Sequence, residues 1–253
     1  MSGGWAIRTG EFNDKDSVTD GATTPPLVTM SCMSEALQVL YEDNHLLIVN
    51  KPAGLATMGV GPDEPSLWRR ACGYIKAKYQ KPGNVYLGVV SRVDALVTGA
   101  VVFARTSKAA ARLSEQFRET DVGKIYWALT ERAPLPPTGV CVDWLWKDES
   151  LRRMVIANAH QPGAVEARLS YRTMRQVENM TLVEIRLETG RKHQIRVQMA
   201  SRNCPVVGDT RYGSRRTFPK GIALHARQLS LTHPTLKTRL EITAPLPAYW
   251  PVS

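Results

Sequence analysis

Cysteine and histidine are scarce in this chain, and neither is spaced for a metal or redox site. The four cysteines are scattered, with no Cys-x-x-Cys pair, and the five histidines show no metal-ligand spacing. We therefore predict that the protein holds no structural metal. Reduced thiols that pack as small hydrophobic side chains are typical of a cytoplasmic protein, which is the location we expect.

Long apolar runs are also missing. No window approaches the roughly 18 consecutive apolar residues that a transmembrane helix needs, and the first residues lack the basic and apolar regions of a signal peptide. The chain has 253 residues, of which 43% are hydrophobic and 22% charged. That composition is typical of a soluble globular protein, with enough chain for one large domain or two small ones.

Acidic residues are outnumbered. The chain has 33 lysines and arginines against 23 acids, a formal charge of +10. Residues 1–33 hold two bases and four acids, a net of −2, which leaves +12 for the rest. An excess of this size favours a polyanionic partner, either nucleic acid or an anionic membrane surface. A basic soluble protein without such a partner is the alternative.

The pattern divides the chain into an arm and a domain. Residues 1–33 are rich in Gly, Ser, Thr, Asp and Pro, so we predict a flexible N-terminal arm there and one domain over 34–253. Helices are predicted after Ser66, from Ser107, and from Glu188 onward. Strands are more numerous and are predicted near 38–41, 45–49, 124–129, 165–171, 183–187, 229–231 and 240–242. This arrangement predicts an α+β fold with a mixed, largely antiparallel central sheet flanked by helices and loops.

The most informative stretch runs from Gly88 to Arg105. Apolar residues lead into the triplet Arg92-Val93-Asp94 and away from it, so the polar pair lies on a loop between two buried strands. Burying a carboxylate is costly unless a cation pairs with it. We therefore expect a basic partner for Asp94. The alternative is that Asp94 only caps a turn beside a solvated Arg92.

Two further stretches carry unusual polar groups. Lys124-Ile125-Tyr126 places a phenol on a strand among apolar neighbours, and residues 189–196 (TGRKHQIR) gather three cations at a predicted helix start. A helix N-terminus attracts anions, so cations there are unfavourable unless an anion or a carboxylate binds. A solvated basic face is the alternative interpretation.

Taken with the Asp94 loop, these stretches resemble the RluA-type RNA pseudouridine synthases, which isomerise uridine to pseudouridine within RNA. The resemblance covers roughly residues 38–247. It rests on ordered motifs: 39–54 (VLYEDNHLLIVNKPAG), the Asp94 loop, the Lys-x-Tyr strand, 189–196, 205–209 (PVVGD) with Tyr212-Gly213, and 224–226 (LHA). It implies the pseudouridine synthase fold. The arm before residue 38 is too short and too polar for the S4-like RNA-binding domain that some relatives carry, so we expect none.

The resemblance also implies roles for individual residues. Asp94 matches the catalytic aspartate, whose carboxylate acts as a nucleophile on the ribose C1′ or on the uracil ring. Tyr126 matches the tyrosine that stacks under the target base and is a candidate for handling a proton. Arg191 matches the basic residue that pairs with the aspartate, and Arg92 matches the side chain that replaces the flipped base. The other residues expected to bind substrate are Thr98, Lys124, Lys192, His193 and Arg196.

The implied substrate is ribosomal or transfer RNA, at single-stranded or loop uridines whose base edges are accessible. No cofactor is needed, because the reaction is an isomerisation without redox change or an energy source. We expect a monomer that recognises RNA with its catalytic domain alone.

The Asp94 loop departs from the family pattern. The family usually has His-Arg-Leu-Asp-x-x-Thr-Ser-Gly, whereas residues 91–99 are SRVDALVTG. Ser91 replaces the histidine and Val97 the threonine, so the hydrogen bonds that anchor the loop must differ. These changes keep a second hypothesis open, an RNA-binding or folding-assistance protein of the same fold with reduced or lost catalysis. An aspartate-nucleophile hydrolase has less support, since no water-activating pair or metal site accompanies Asp94.

Overall fold

One sheet organises the described part of the chain, residues 36–61 and 64–252 of a computed structural model. The predicted arm over 1–33 lies outside the described residues. The helices are α1 (Leu67–Lys78), α2 (Ser107–Arg118) and α3 (Gln194–Ala200), followed by a 3₁₀ turn over Thr210–Tyr212. The strands are β1 (Gln38–Glu42), β2 (Leu46–Lys51), β3 (Gly88–Val89), β4 (Thr98–Ala104), β5 (Gly123–Thr130), β6 (Thr138–Asp148), β7 (Arg153–Ala157), β8 (Val165–Val177), β9 (Met180–Leu187), β10 (Leu224–Thr232) and β11 (Arg239–Thr243).

The strands join in the order β1-β2-β4-β10-β5-β9-β8-β6-β7, while β11 pairs with β10 and β3 with β4. Among these named strands every pairing is antiparallel except that of β4 with β10, which aligns Thr98 with His225 and Gly99 with Ala226. The predicted α+β fold with a mixed, largely antiparallel sheet is therefore confirmed.

The parallel contact requires glycine at position 99. Gly99 has a φ of +113°, and a Cβ there would lie 2.4 Å from the carbonyl oxygen of Ala226. A residue with a side chain would fit neither the backbone conformation nor the space. Because Gly99 lets β4 and β10 approach each other, the loop that precedes β4 is brought against the middle of the sheet.

Helices cover both faces of the sheet where β2 and β4 lie. Leu47 and Phe103 pack in one cluster with the apolar face of α1, whereas Leu46 and Val102 pack in another with that of α2. Strands buried on both faces are continuous apolar runs rather than alternating ones, and both strands have that pattern.

Helices α1 and α2 begin where the sequence predicts. The Ser66 hydroxyl accepts the backbone N–H of Arg69, and the Thr106 hydroxyl accepts that of Ala109, so each helix starts at a capping side chain. None of the helices in the described ranges is long and apolar enough to cross a membrane.

Helix α3 begins later than predicted. The sequence predicts a helix that opens within 188–192, but α3 starts at Gln194, after His193, whose φ of +53° is left-handed. The Gln194 side chain holds the preceding loop: its Oε1 accepts the Thr189 hydroxyl at 2.8 Å and the Arg191 N–H at 3.0 Å. Arg191 and Lys192 therefore lie on a loop before the helix.

Candidate active site

A cleft of about 870 Å³ opens beside the contact between β4 and β10. That volume is in the range of pockets that bind small ligands and cofactors. Its walls come from the loop before β4, from β5, from β10, and from the loop that leads into α3. Eight of the nine residues predicted for the site line it: Arg92, Asp94, Lys124, Tyr126, Arg191, Lys192, His193 and Arg196.

Asp94 presents a paired but accessible carboxylate. Its side chain is 30% exposed, and its Oδ2 lies 3.1 Å from Nη1 of Arg196 and 3.7 Å from Nε2 of His193. Its backbone carbonyl accepts the N–H of Val97, which closes a turn within the loop. With a charge partner on one side and solvent on the other, this carboxylate is both oriented and open to a ligand in the cleft.

Arg196 is buried and holds two carboxylates. Its Nε and Nη2 donate to Asp209 at 2.6 and 2.9 Å, a bidentate pair, and its guanidinium lies 5.0 Å from the centroid of the Tyr212 ring. Burial opposes the charge, but the hydrogen bonds and charge of Asp209, together with Asp94, outweigh it and raise the pKa of Arg196. The side chain is only 4% exposed, so it is a fixed cation behind Asp94.

The predicted pairing of Asp94 with Arg191 is corrected by these distances, since the partner is Arg196. Arg191 lies on the loop before α3, is exposed at the rim of the cleft, and its Nε donates to the carbonyl of Glu166 at 2.9 Å. Arg196 was predicted only to bind substrate. Its position inside α3 directs the side chain inward, where a cation must have acidic partners. The signal that sequence reasoning missed was an arginine within the predicted helix rather than at its start.

Thr98 does not face the cleft, although the sequence predicts that it binds substrate. It is 1% exposed, and its hydroxyl lies 2.7 Å from Nδ1 of His225, whose Nε2 lies 3.2 Å from the carbonyl of Ala244. Burial lowers the pKa of His225 to about 4, so the ring is neutral near pH 7. Thr98 therefore supports the pairing of β4 with β10.

Two residues of β5 line the same cleft as Asp94. Lys124 and Tyr126 alternate with Ile125, so their side chains lie on the same face of the sheet. Burial, and then the charge of Asp94, raise the pKa of Tyr126, which keeps its phenol protonated at neutral pH. Burial, and then the nearby Arg191, lower the pKa of Lys124.

His193 contributes a neutral imidazole. Its Nδ1 lies 2.8 Å from the Tyr212 hydroxyl, which accepts the N–H of Met154 at 3.1 Å. The hydroxyl proton is thus available to Nδ1, and the ring proton is assigned to Nε2, which faces Asp94. Burial lowers the pKa of His193 to about 4 although the charge of Asp94 opposes the shift.

Lys51 is a neighbour of the site that sequence reasoning did not select. It is 1% exposed, and its ammonium donates to the carbonyls of Pro52, Leu55 and Ala95 at 2.9, 2.8 and 3.0 Å. Burial lowers its pKa to about 7, against the opposing charge of Asp94. A lysine that ends a buried strand just before Pro and Gly was the available signal.

Within residues 36–61 and 64–252, no group of three or more His, Cys, Asp or Glu side chains is placed to hold a metal ion.

Comparison with known proteins identifies a family for this chain. A family model described as RNA pseudouridylate synthase matches residues 45–201. The uncharacterized RNA pseudouridine synthase YhcT of Bacillus subtilis is 36% identical over 217 residues, 84% of this chain and 69% of that protein. Ribosomal large subunit pseudouridine synthase D of Xanthomonas campestris is 32% identical over 276 residues, covering 98% and 79%.

A solved structure also matches. Human RNA pseudouridylate synthase domain containing 4 superposes with a TM-score of 0.70 at 26% identity, over 84% of this chain and 89% of that one. The fold and the cleft thus define an RNA-modifying isomerase. The chain belongs to the RluA-type RNA pseudouridine synthase family.

Proposed function

We propose that this enzyme isomerises specific uridines of ribosomal or transfer RNA, with Asp94 as its nucleophile. The observation that carries the proposal is the accessible carboxylate of Asp94 held 3.1 Å from the buried guanidinium of Arg196 inside the cleft. Several relatives at about one-third identity are named ribosomal large subunit pseudouridine synthases, which favours ribosomal RNA of the two.

The reaction breaks the N1–C1′ bond of uridine, forms a C5–C1′ bond, removes the proton from C5 and leaves one on N1. The Asp94 carboxylate attacks either the ribose C1′ or the uracil ring, and in both routes a covalent intermediate divides one difficult exchange into two easier steps. Arg196 pairs with the nucleophile and fixes its direction of approach.

The other residues of the cleft have supporting roles. Tyr126, whose phenol stays protonated, supplies a ring on which the target base stacks and a candidate proton donor. Arg92, exposed on the Asp94 loop, fills the gap that the extruded nucleotide leaves, which offsets part of the few kcal/mol lost on unstacking. Lys124, Arg191 and Lys192 provide positive charge for the flanking phosphates.

The test is to map pseudouridines in ribosomal and transfer RNA from cells that lack this protein. Loss of modification at one or a few uridines, restored by the wild-type gene but not by a gene carrying Asp94→Asn, is the expected result. If every uridine stays modified as before, the substrate assignment fails and an RNA-binding protein without turnover is favoured.

A further inference from the structure

The Asp94 loop is anchored from outside itself. Within the described residues, Ser91 forms no side-chain hydrogen bond and Val97 has no polar side-chain atom with which to form one. The loop instead receives hydrogen bonds from the last residue of β2 and from the segment that follows it. Lys51 and the backbone N–H of Gly54 both donate to the carbonyl of Ala95, at 3.0 and 2.8 Å.

Thr57 anchors the other side of Asp94. Its hydroxyl donates to the carbonyl of Val93 at 2.8 Å and accepts the N–H of the same residue at 3.2 Å. One side-chain oxygen therefore satisfies both backbone groups of the residue that precedes Asp94. Since Thr57 is 3% exposed, water has little access to these bonds, and removing the hydroxyl would deprive both backbone groups of Val93 of this partner.

Thr57 is itself held by a rigid element. Its carbonyl accepts the N–H of Trp68 at 3.1 Å, and the carbonyl of Ala56 accepts that of Leu67 at 2.8 Å. Both donors belong to the first turn of α1, which packs in the main core. Hydrogen bonds therefore connect Val93, the neighbour of Asp94, through Thr57 to α1. The position of Asp94 depends on this helix and not only on the loop.

We propose that the Thr57 hydroxyl is a positioning group that sets where the Asp94 carboxylate lies in the cleft. The inference rests on the proposed function, in which Asp94 is the nucleophile. A displacement of about 1 Å at a reacting group can lower the rate on the order of 100-fold. Loss of the clamp should therefore reduce the chemical step and leave RNA binding nearly unchanged.

The test measures single-turnover pseudouridine formation at saturating enzyme, and RNA affinity separately, for Thr57→Val and Thr57→Ser. Valine conserves the shape but cannot form either bond, and serine retains both. We expect T57V to lose about tenfold or more of the single-turnover rate with an unchanged Kd, and T57S to regain most of it. A T57V rate equal to that of the wild type overturns the proposal.

The matched control is Thr130→Val on β5, outside the cleft. The Thr130 hydroxyl is also buried; it donates to the carbonyl of Arg132 at 2.8 Å and lies 3.3 Å from that of Thr181, so T130V reports the effect of a lost buried hydroxyl on folding alone. An equal rate loss in T130V would overturn the positioning role. If T57V does not fold, Thr57→Ala is compared with T57S, and equal rates in those two contradict it.

The two proposals fail separately. Activity in the Asp94→Asn variant would show that Asp94 is not the nucleophile, whatever the result for Thr57. If Asp94→Asn is inactive but T57V is fully active, only the positioning role of Thr57 is contradicted.

Discussion

The guanidinium of Arg196 bridges two carboxylates: its Nε and Nη2 donate to Asp209 at 2.6 and 2.9 Å, and its Nη1 donates to Asp94. Asp209 is 1% exposed, so its position is fixed by the surrounding core. Only the Nη1 edge of Arg196 is left for Asp94. A charge fixed in this way needs no reorganisation when the carboxylate reacts.

Comparing Arg196→Ala with Arg191→Ala tests which of the two arginines pairs with Asp94. We expect R196A to lower the single-turnover rate by about 100-fold or more, as loss of a preorganised charge partner does, and to destabilise the fold by about 3–5 kcal/mol because Asp209 remains buried and unpaired. Arg191→Ala is the comparison: it removes a phosphate contact and should weaken RNA binding, but at saturating enzyme it should change the single-turnover rate only about twofold, because Arg191 does not contact Asp94. Equal losses in both variants would contradict the geometry.

The pH dependence of stability should report His225. Its folded pKa of about 4 lies below the ordinary value of 6.5, so the unfolded chain binds more protons between those values and stability falls as pH falls. The shift corresponds to about 2 kcal/mol lost between pH 7.5 and pH 5. Urea unfolding of His225→Gln should show a shallower decline than the wild type over that window. Identical slopes would mean that His225 is not held neutral by burial.

RNA affinity should fall steeply with salt. Each phosphate contact with single-stranded RNA contributes a slope of about 0.7 in log Kd against log salt concentration. Lys192→Ala should lower the slope by about that amount, whereas Lys76→Ala, on an exposed position of α1 outside the cleft, should leave it unchanged. A slope that does not respond to K192A places the phosphate track elsewhere.

The contact of β4 with β10 should be unusually sensitive to one methyl group. Gly99→Ala places a Cβ against the backbone of Ala226 at a positive φ, so we expect a loss of several kcal/mol of unfolding free energy, about the size of overpacking plus backbone strain. Gly73→Ala, in α1 with open space around it, should instead add about 0.5–1 kcal/mol. Chemical denaturation of both variants measures the difference, and a stable G99A would contradict the close approach.

Local signals predicted much of the fold, and non-local ones account for what was missed. Helices α1 and α2 have a capping residue and a regular apolar face, so their starts could be predicted. Strands β6 and β7 were not predicted, because Val140 and Val142 lie exposed on the open face of β6 and obscure the alternation of an amphipathic strand.

Local signals also predicted part of the site, while non-local contacts decided the rest. The sequence placed Asp94 on a loop and predicted a basic partner for it, but several cations lie within eight residues of one another. Which of them reaches Asp94 depends on where α3 begins, and that is set by the left-handed backbone of His193 and the side chain of Gln194. Thr98 was misplaced for a similar reason, since its burial comes from a pairing with a strand more than a hundred residues away.

The most direct test of the account uses purified protein and its RNA substrate labelled with tritium at C5 of uridine. Pseudouridine formation releases that tritium to water. We predict release by the wild type and none by Asp94→Asn, while the variant still binds the RNA with the wild-type Kd. Release by Asp94→Asn at the wild-type rate would contradict the central claim that the Asp94 carboxylate performs the reaction.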